Sequence, residues 1–207
     1  MSQTARAGSR QQKSTATAAR KSVSKDAASA VGKPKTTAKK SIVGKAATTG
    51  QDAIALLKAD HKTVEGLFKK FEKAGDSAYA TKRRIVDEVI TELTRHAYIE
   101  ETIFYPTARQ AAPDTGEHVL ESVEEHHVVA WMLSELGGAD ARDERFDAKM
   151  TVLMENVRHH VKEEEQEWFP QVRKAMGRNR LRELGERMQA AKADAPADPL
   201  ALRSARA

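Results

Sequence analysis

Two stretches of the chain share one pattern: His96-Ala97-Tyr98-Ile99-Glu100-Glu101-Thr102-Ile103-Phe104-Tyr105-Pro106 and His160-Val161-Lys162-Glu163-Glu164-Glu165-Gln166-Glu167-Trp168-Phe169-Pro170. Each reads His-x-x-x-Glu-Glu-x-x-aromatic-aromatic-Pro, and the copies are 64 residues apart. On a helix, residues four apart lie one above the other on the same face. Imidazole and carboxylate are both ligands for divalent cations, so a doubled pair points to a two-metal site rather than to a chance ion pair.

Around these stretches the apolar residues fall at spacings of three and four from Asp52 onward, the period of amphipathic helices. A first helix is expected over 53–73, ending near Gly75, and a second over 78–110 with Asp76 or Ser77 as its N-cap. Pro113 then breaks the chain, and Asp114-Thr115-Gly116-Glu117 offers a capping box for a third helix that reaches Leu136 and ends at Gly137-Gly138. A fourth helix is expected over 142–176, stopping at Gly177, and a short fifth over 178–191 with Leu181, Leu184 and Met188 on one side. Pro106 and Pro170 each remove a backbone donor late in a long helix, so a kink or an early end is expected there. No strand-like alternation is visible. Short connections between long helices predict an all-α, up-down-up-down antiparallel four-helix bundle.

The ligand candidates fall in the seams of these helices. The first seam reads Ile54, Leu57, His61, Val64, Phe68, Phe71, and the second Val86, Val89, Leu93, His96, Glu100, Ile103. The third reads Val119, Ser122, His126, Val129, Leu133, Leu136. The fourth reads Met150, Leu153, Val157, His160, Glu164, and then Glu167 or Trp168. Every helix therefore turns one histidine inward, and two add a glutamate. A buried carboxylate without a partner costs several kcal/mol and protonates instead, so this interior suits cations better than an inert core. Four imidazoles and two carboxylates can hold two ions, with two histidines for each, the glutamates bridging, and positions left for an outside ligand. An internal repeat supports the set, because His61 and His126 lie 65 apart while Glu100 and Glu164 lie 64 apart. The same alignment selects His126 over His127. Glu101 and Glu165 stand one step off the seam and read either as partners of the ligands or as solvated acids. His127 and His159 read as solvent-facing or outer neighbours, His118 as a helix-start residue, and Tyr98, Tyr105, Trp131 and Trp168 as packing.

Charge divides the chain differently. Residues 1–50 carry 11 Lys/Arg and the single acid Asp26, a net +10, whereas the rest carries −5 of the overall +5. That first segment is Ala, Ser, Thr, Lys, Gly and Gln with almost no large apolar side chain, so it cannot offset its ordering entropy and is expected to be a disordered basic arm. Such an arm can bind DNA or RNA through phosphates without sequence preference; it can equally be a solubilising tail. No aromatic residues interleave its lysines, so base stacking is not indicated. The expected organisation is an arm over 1–50, a four-helix domain over 51–176, and a short helix and frayed tail over 177–207. The chain has no cysteine, which excludes disulfides, thiolate metal sites and cysteine nucleophiles. No apolar run is long enough for a membrane span and no secretory core is present. The expected location is the cytoplasm.

Asp60-His61, His96-x-x-x-Glu100, Glu125-His126 and His160-x-x-x-Glu164, with the Phe-Tyr-Pro and Trp-Phe-Pro endings, occur in order over residues 52–176. In this the chain resembles the hemerythrin family, in its HHE cation-binding branch. The resemblance implies a four-helix bundle around a non-haem di-iron centre held by His61, His96, Glu100, His126, His160 and Glu164. Iron is expected ahead of manganese or zinc. The resemblance also implies a protein that senses or handles dioxygen, nitric oxide, peroxide or iron, with a small diatomic or peroxide as the outside ligand. An enzyme of peroxidase or nitric-oxide reductase type on the same centre, or a nucleoid-associated stress protein acting through its arm, are the alternatives. The chain departs from the oxygen-carrying members, which have two histidines four apart on the third helix; here Ser122 and Ala130 flank His126 at that spacing. It departs from the iron–sulfur repair members in having a basic arm where they carry a cysteine-bearing domain.

Overall fold

The computed structural model describes residues 50–201, and every regular element among them is helical. Apart from Gly50, the expected arm lies outside the described residues, as do 202–207 at the end of the expected tail. The long helices are α1 (Ala53–Lys73), α2 (Tyr79–Ile99), α4 (Gly116–Gly137), α5 (Phe146–Glu163) and α6 (Phe169–Ala191), with the short α3 (Tyr105–Ala111) following α2 through a π-helical turn. Helix α1 packs on α2 and α6, α4 packs on α5, and α2 packs on α4, so the elements form a helical bundle.

Each start and stop has a local cause. Asp52 caps α1 by accepting the Ala55 N–H at 2.9 Å. The expected cap of α2 by Asp76 or Ser77 does not form. A turn closed by the Ala78 N–H on the Gly75 carbonyl takes up both residues, and Ala78 stands at the N-cap without a side-chain bond. The expected capping box at Asp114–Glu117 is also absent: Pro113–Thr115 form a 3₁₀ turn, and the Thr115 hydroxyl donates to Ala112 O and accepts the Trp168 indole N–H at 2.9 Å. Helix α5 starts at Phe146 rather than 142, because Asp140 and Asp143 fold the connection into two turns on the backbone N–H groups of Arg142 and Arg145.

Pro106 and Pro170 do not end the helical run. Each is preceded by a single π-helical turn, Glu100–Phe104 and Glu164–Trp168, and occupies the first turn of the α-helix that follows, where a missing N–H costs nothing. The Tyr105 N–H bonds Glu100 O and the Phe169 N–H bonds Glu164 O, each reaching back five residues. The wider turn adds one residue and rotates the register. Phe104 is therefore buried in place of the expected seam residue Ile103, which is half-buried. Trp168 is buried while Glu167 is exposed.

Apolar packing forms two cores. Val64, Phe68, Val86, Leu93, Leu133, Met150 and Val157 belong to one, and Ile54, Leu57, Ile99, Phe104, Trp168 and Phe169 to the other. Along α1, α2 and α5 the change from one core to the other falls at His61, at His96–Glu100 and at His160–Glu164, so the polar residues form a belt between the two. Beyond Gly177, which breaks α6 at φ +71°, the last limb is part of this interior: Leu181, Leu184 and Met188 are buried in the second core. Residues 192–194 form a 3₁₀ turn.

Candidate metal centre

The structure brings all six sequence-predicted residues into the belt. His61, His96, His126 and His160 are 4–7% exposed, and Glu100 and Glu164 are fully buried. The ring Nε2 atoms of His61 and His96 lie 3.2 Å apart, as do those of His126 and His160. The two glutamates tie these pairs together. Glu100 Oε2 is 3.0 Å from His96 Nε2 and 3.5 Å from His126 Nε2. Glu164 Oε2 is 3.4 Å from His61 Nε2 and 3.6 Å from His160 Nε2. Each carboxylate thus faces one ring from each pair. His61, His96, Glu100 and Glu164 offer ligand atoms within 4.8 Å of one another, and so do Glu100, His126 and His160, with Glu100 common to both groups.

The outward nitrogens are also ordered. The Nδ1–H groups donate from His61 to Glu165 at 2.9 Å, from His126 to Glu101 at 3.0 Å and from His160 to Glu125 at 2.7 Å. Asp60 faces the His96 Nδ1 at 3.6 Å. A carboxylate behind Nδ1 selects the tautomer that leaves the Nε2 lone pair for a cation. Of the two readings of Glu101 and Glu165, the structure selects the one in which both hold a histidine. The π turn is the reason: it lets consecutive residues, Glu100 and Glu101 or Glu164 and Glu165, both reach interior imidazoles. Asp60 and Glu125 precede His61 and His126 in the repeat, and that position was the signal for their role.

Tyr105, expected as packing, reaches the belt for the same reason. Its hydroxyl donates to Glu164 Oε1 at 3.1 Å and lies 3.4 Å from Glu100 Oε2 and from His126 Nε2. Its repeat counterpart Phe169 stacks on His61 with ring centroids 6.1 Å apart. Trp168 packs as expected, whereas Trp131 is 56% exposed. His127 is half-buried beside Glu124, His159 lies near Glu163 on the surface, and His118 sits beside the Trp168 ring.

The electrostatics are those of carboxylates balanced by bound protons. Burial disfavours the His96 imidazolium, but the Glu100 charge outweighs it; with the neighbouring Asp60 and the more distant Glu164, the pKa rises from 6.5 to about 10. His160 is raised for the same reasons, against its burial, by Glu164 and Glu125. Burial pushes Glu164 up, yet His160 and His61 hold it well below the usual carboxylate range. Burial and the charges of Glu100 and Glu164 raise Tyr105 far above an ordinary phenol. Even so, Glu100 Oε1 and Glu164 Oε2 are buried without a hydrogen-bond partner. Unsatisfied buried lone pairs of this kind fit a cation. A small cavity of about 30 Å³, lined by all four histidines with Val64, Leu93, Val129, Val157 and Val161, adjoins the rings. A wider groove between α1 and α5 is lined by Lys58, Lys62, Arg158, Lys162 and Glu165 and reaches His61.

Fold and site together define a helical-bundle protein whose interior gathers histidines and carboxylates in the manner of a cation site. The family model of the hemerythrin HHE cation binding domain matches residues 52–172, and the chain belongs to that family. An uncharacterized hemerythrin-like protein of Schizosaccharomyces pombe is 30% identical over 112 residues, 54% of this chain. The match spans about half of that relative's own length, 54%. An uncharacterized protein of Mycobacterium tuberculosis is 29% identical over 143 residues, covering 67% of this chain and 84% of the relative. The crystal structure of a hemerythrin HHE cation binding domain-containing protein from Mycobacterium kansasii superposes with a TM-score of 0.60 at 25% identity, over 75% of this chain and 93% of that one.

Proposed function

We propose that the chain is a non-haem di-iron protein of the hemerythrin family that senses or handles a small ligand such as dioxygen, nitric oxide or peroxide, or iron itself. The observation that carries this reading is the arrangement of two histidine pairs, each with Nε2 atoms 3.2 Å apart, spanned by two fully buried glutamates. His61 and His96 would hold one ion and His126 and His160 the other, with Glu100 and Glu164 between them. Iron suits the mixed nitrogen and oxygen donor set, ahead of manganese or zinc. Bound iron would supply redox chemistry toward the outside ligand. The chain's own groups orient the ligating rings through Nδ1, exclude bulk water from the belt, and set a phenolic proton at Tyr105 between the carboxylates. The cavity beside the rings, about 30 Å³, exceeds the roughly 10–15 Å³ needed to hold a water-sized molecule.

The scaffold of this reading is an up-down-up-down antiparallel bundle over 51–176, since consecutive packed helices such as α1 and α2 are joined by a short turn. The short helix beyond Gly177 completes it. A cytoplasmic location belongs to the same proposal; among the described residues no helix is long and apolar enough to cross a membrane. Anaerobic loading with ferrous iron followed by dioxygen is expected to give about two irons per chain and an oxo-bridge absorption band. A product that stays metal-free under those conditions counts against the reading. Multiple turnovers with an electron donor would favour an enzyme of peroxidase or nitric-oxide reductase type over a sensor.

A second reading rests on the +10 charge of residues 1–50: a nucleoid-associated stress protein that holds DNA through its arm. Deleting 1–50 is then expected to abolish DNA retention in a shift assay at low salt and leave metal content unchanged. Equal DNA affinity with and without the arm would reject it.

A further inference from the structure

The two histidine pairs are related by the repeat, and so are the carboxylates behind them, but Asp60 and Glu125 differ in their charged neighbours. Asp60 stands behind His96 as Glu125 stands behind His160. Lys192 Nζ, from the 3₁₀ turn that ends the last limb of α6, donates to Asp60 Oδ1 at 2.5 Å. Glu125 has no Lys or Arg within ion-pair distance among the described residues; the charged neighbours that lower its pKa are His160, His159 and His126. The geometry differs accordingly. Glu125 accepts the His160 Nδ1–H at 2.7 Å, while Asp60, drawn toward Lys192, lies 3.6 Å from His96 Nδ1. Lys192 lies beyond the residues matched by the family model, 52–172, so the HHE segment does not itself supply this cation.

We propose that Lys192 makes the two metal positions unequal: it neutralises Asp60, weakens the His61–His96 position, and leaves the His126–His160 position to fill first. The physical basis is that a carboxylate on the far nitrogen raises the donor strength of a ligating imidazole, and its own negative charge favours a nearby cation. A lysine on that carboxylate cancels both effects and adds repulsion. Lys192 is thus a positioning residue that acts on the centre through Asp60 and His96. The inference rests on the metal-binding reading above and deepens it by assigning an order and a weaker, more exchangeable position. The last limb of α6 thereby becomes part of the centre's control, since the turn that ends it carries Lys192.

Titration of the full-length, metal-free chain with cobalt(II), followed by its visible d–d bands, tests this. Two resolved steps are expected; His96→Ala keeps the tight step and loses the weak one, and His160→Ala loses the tight one. Lys192→Met is expected to tighten the weak step about tenfold, move its bands and leave the tight step in place, and Lys192→Arg to restore the original pattern. If Lys192→Met lowers the melting temperature of the metal-free protein, Lys192→Gln, neutral but still a donor to Asp60, is read instead with the same expectation. Two cobalt ions bound with steps that no Lys192 variant alters would overturn this inference and leave the metal reading standing. Failure to bind cobalt at all would overturn both.

Discussion

At Glu100 and Glu164 a single carboxylate meets imidazoles from two different helix pairs, at 3.0–3.6 Å. Neither residue can be replaced from one side alone, so Glu100→Ala is expected to cut uptake to below about one ion per chain, measured by metal analysis after gel filtration. His96 supplies a pH signature. Its pKa in the metal-free protein is raised from 6.5 to about 10, so the folded state binds a proton that the unfolded chain has already released. That contribution to stability is complete below pH 6.5 and disappears as pH rises through about 10. Melting of the metal-free protein is therefore expected to fall across this window. Affinity for a divalent ion is expected to climb over the same range, because the competing proton leaves. A melting temperature that rose with pH would contradict the assignment of His96 as the proton holder.

At the scale of the element, the π turn is the device that makes the repeated phrase work. An α-helical Glu100–Tyr105 segment would carry Glu101 off to one side. The extra residue brings Glu101 to His126 and the Tyr105 hydroxyl to both glutamates, while Pro106 is accommodated in the first turn of α3. Single π turns frequently mark functional positions for this reason. Deleting Thr102 is expected to restore α geometry, leave far-UV helicity nearly unchanged, and lower metal affinity by about 10–100-fold, the usual effect of losing an outer partner of a ligating histidine. Equal affinity in the deletion variant would mean that the turn serves only the proline.

Over the whole molecule, two apolar cores enclose the polar belt, and the second depends on the return of α6. At Gly185 an added Cβ would lie 2.4 Å from Gln51 O and 2.8 Å from Ala53 N, so the limb beyond Gly177 presses its backbone against the start of α1. Gly185→Ala is expected to destabilise the protein by about 1–3 kcal/mol through overpacking against backbone, read as a lower denaturation midpoint in urea. Leu181→Ala, at a fully buried position in the same core, is expected to cost about 2–5 kcal/mol. A midpoint unchanged by both substitutions would show that the limb is not docked.

Helical period, the inward histidines and the His-x-x-x-Glu pairs were legible in the residues, because a face of a helix is a matter of local spacing. The repeat extended that reading to His61 and His126. Local spacing carried no account of the π turns: a register change of one residue depends on hydrogen bonds that only the packed helix selects, and so Ile103 was expected in the seam where Phe104 lies, and the reach of the buried Tyr105 hydroxyl to the glutamates was missed. Nor could it set Lys192 against Asp60, 132 residues away, since a contact of that span exists only once α6 has broken at Gly177 and folded back. The ligand types were written in the chain. Their partners and the contact of Lys192 with Asp60 were decided by tertiary packing, which alone fixes the distance between charges on different helices.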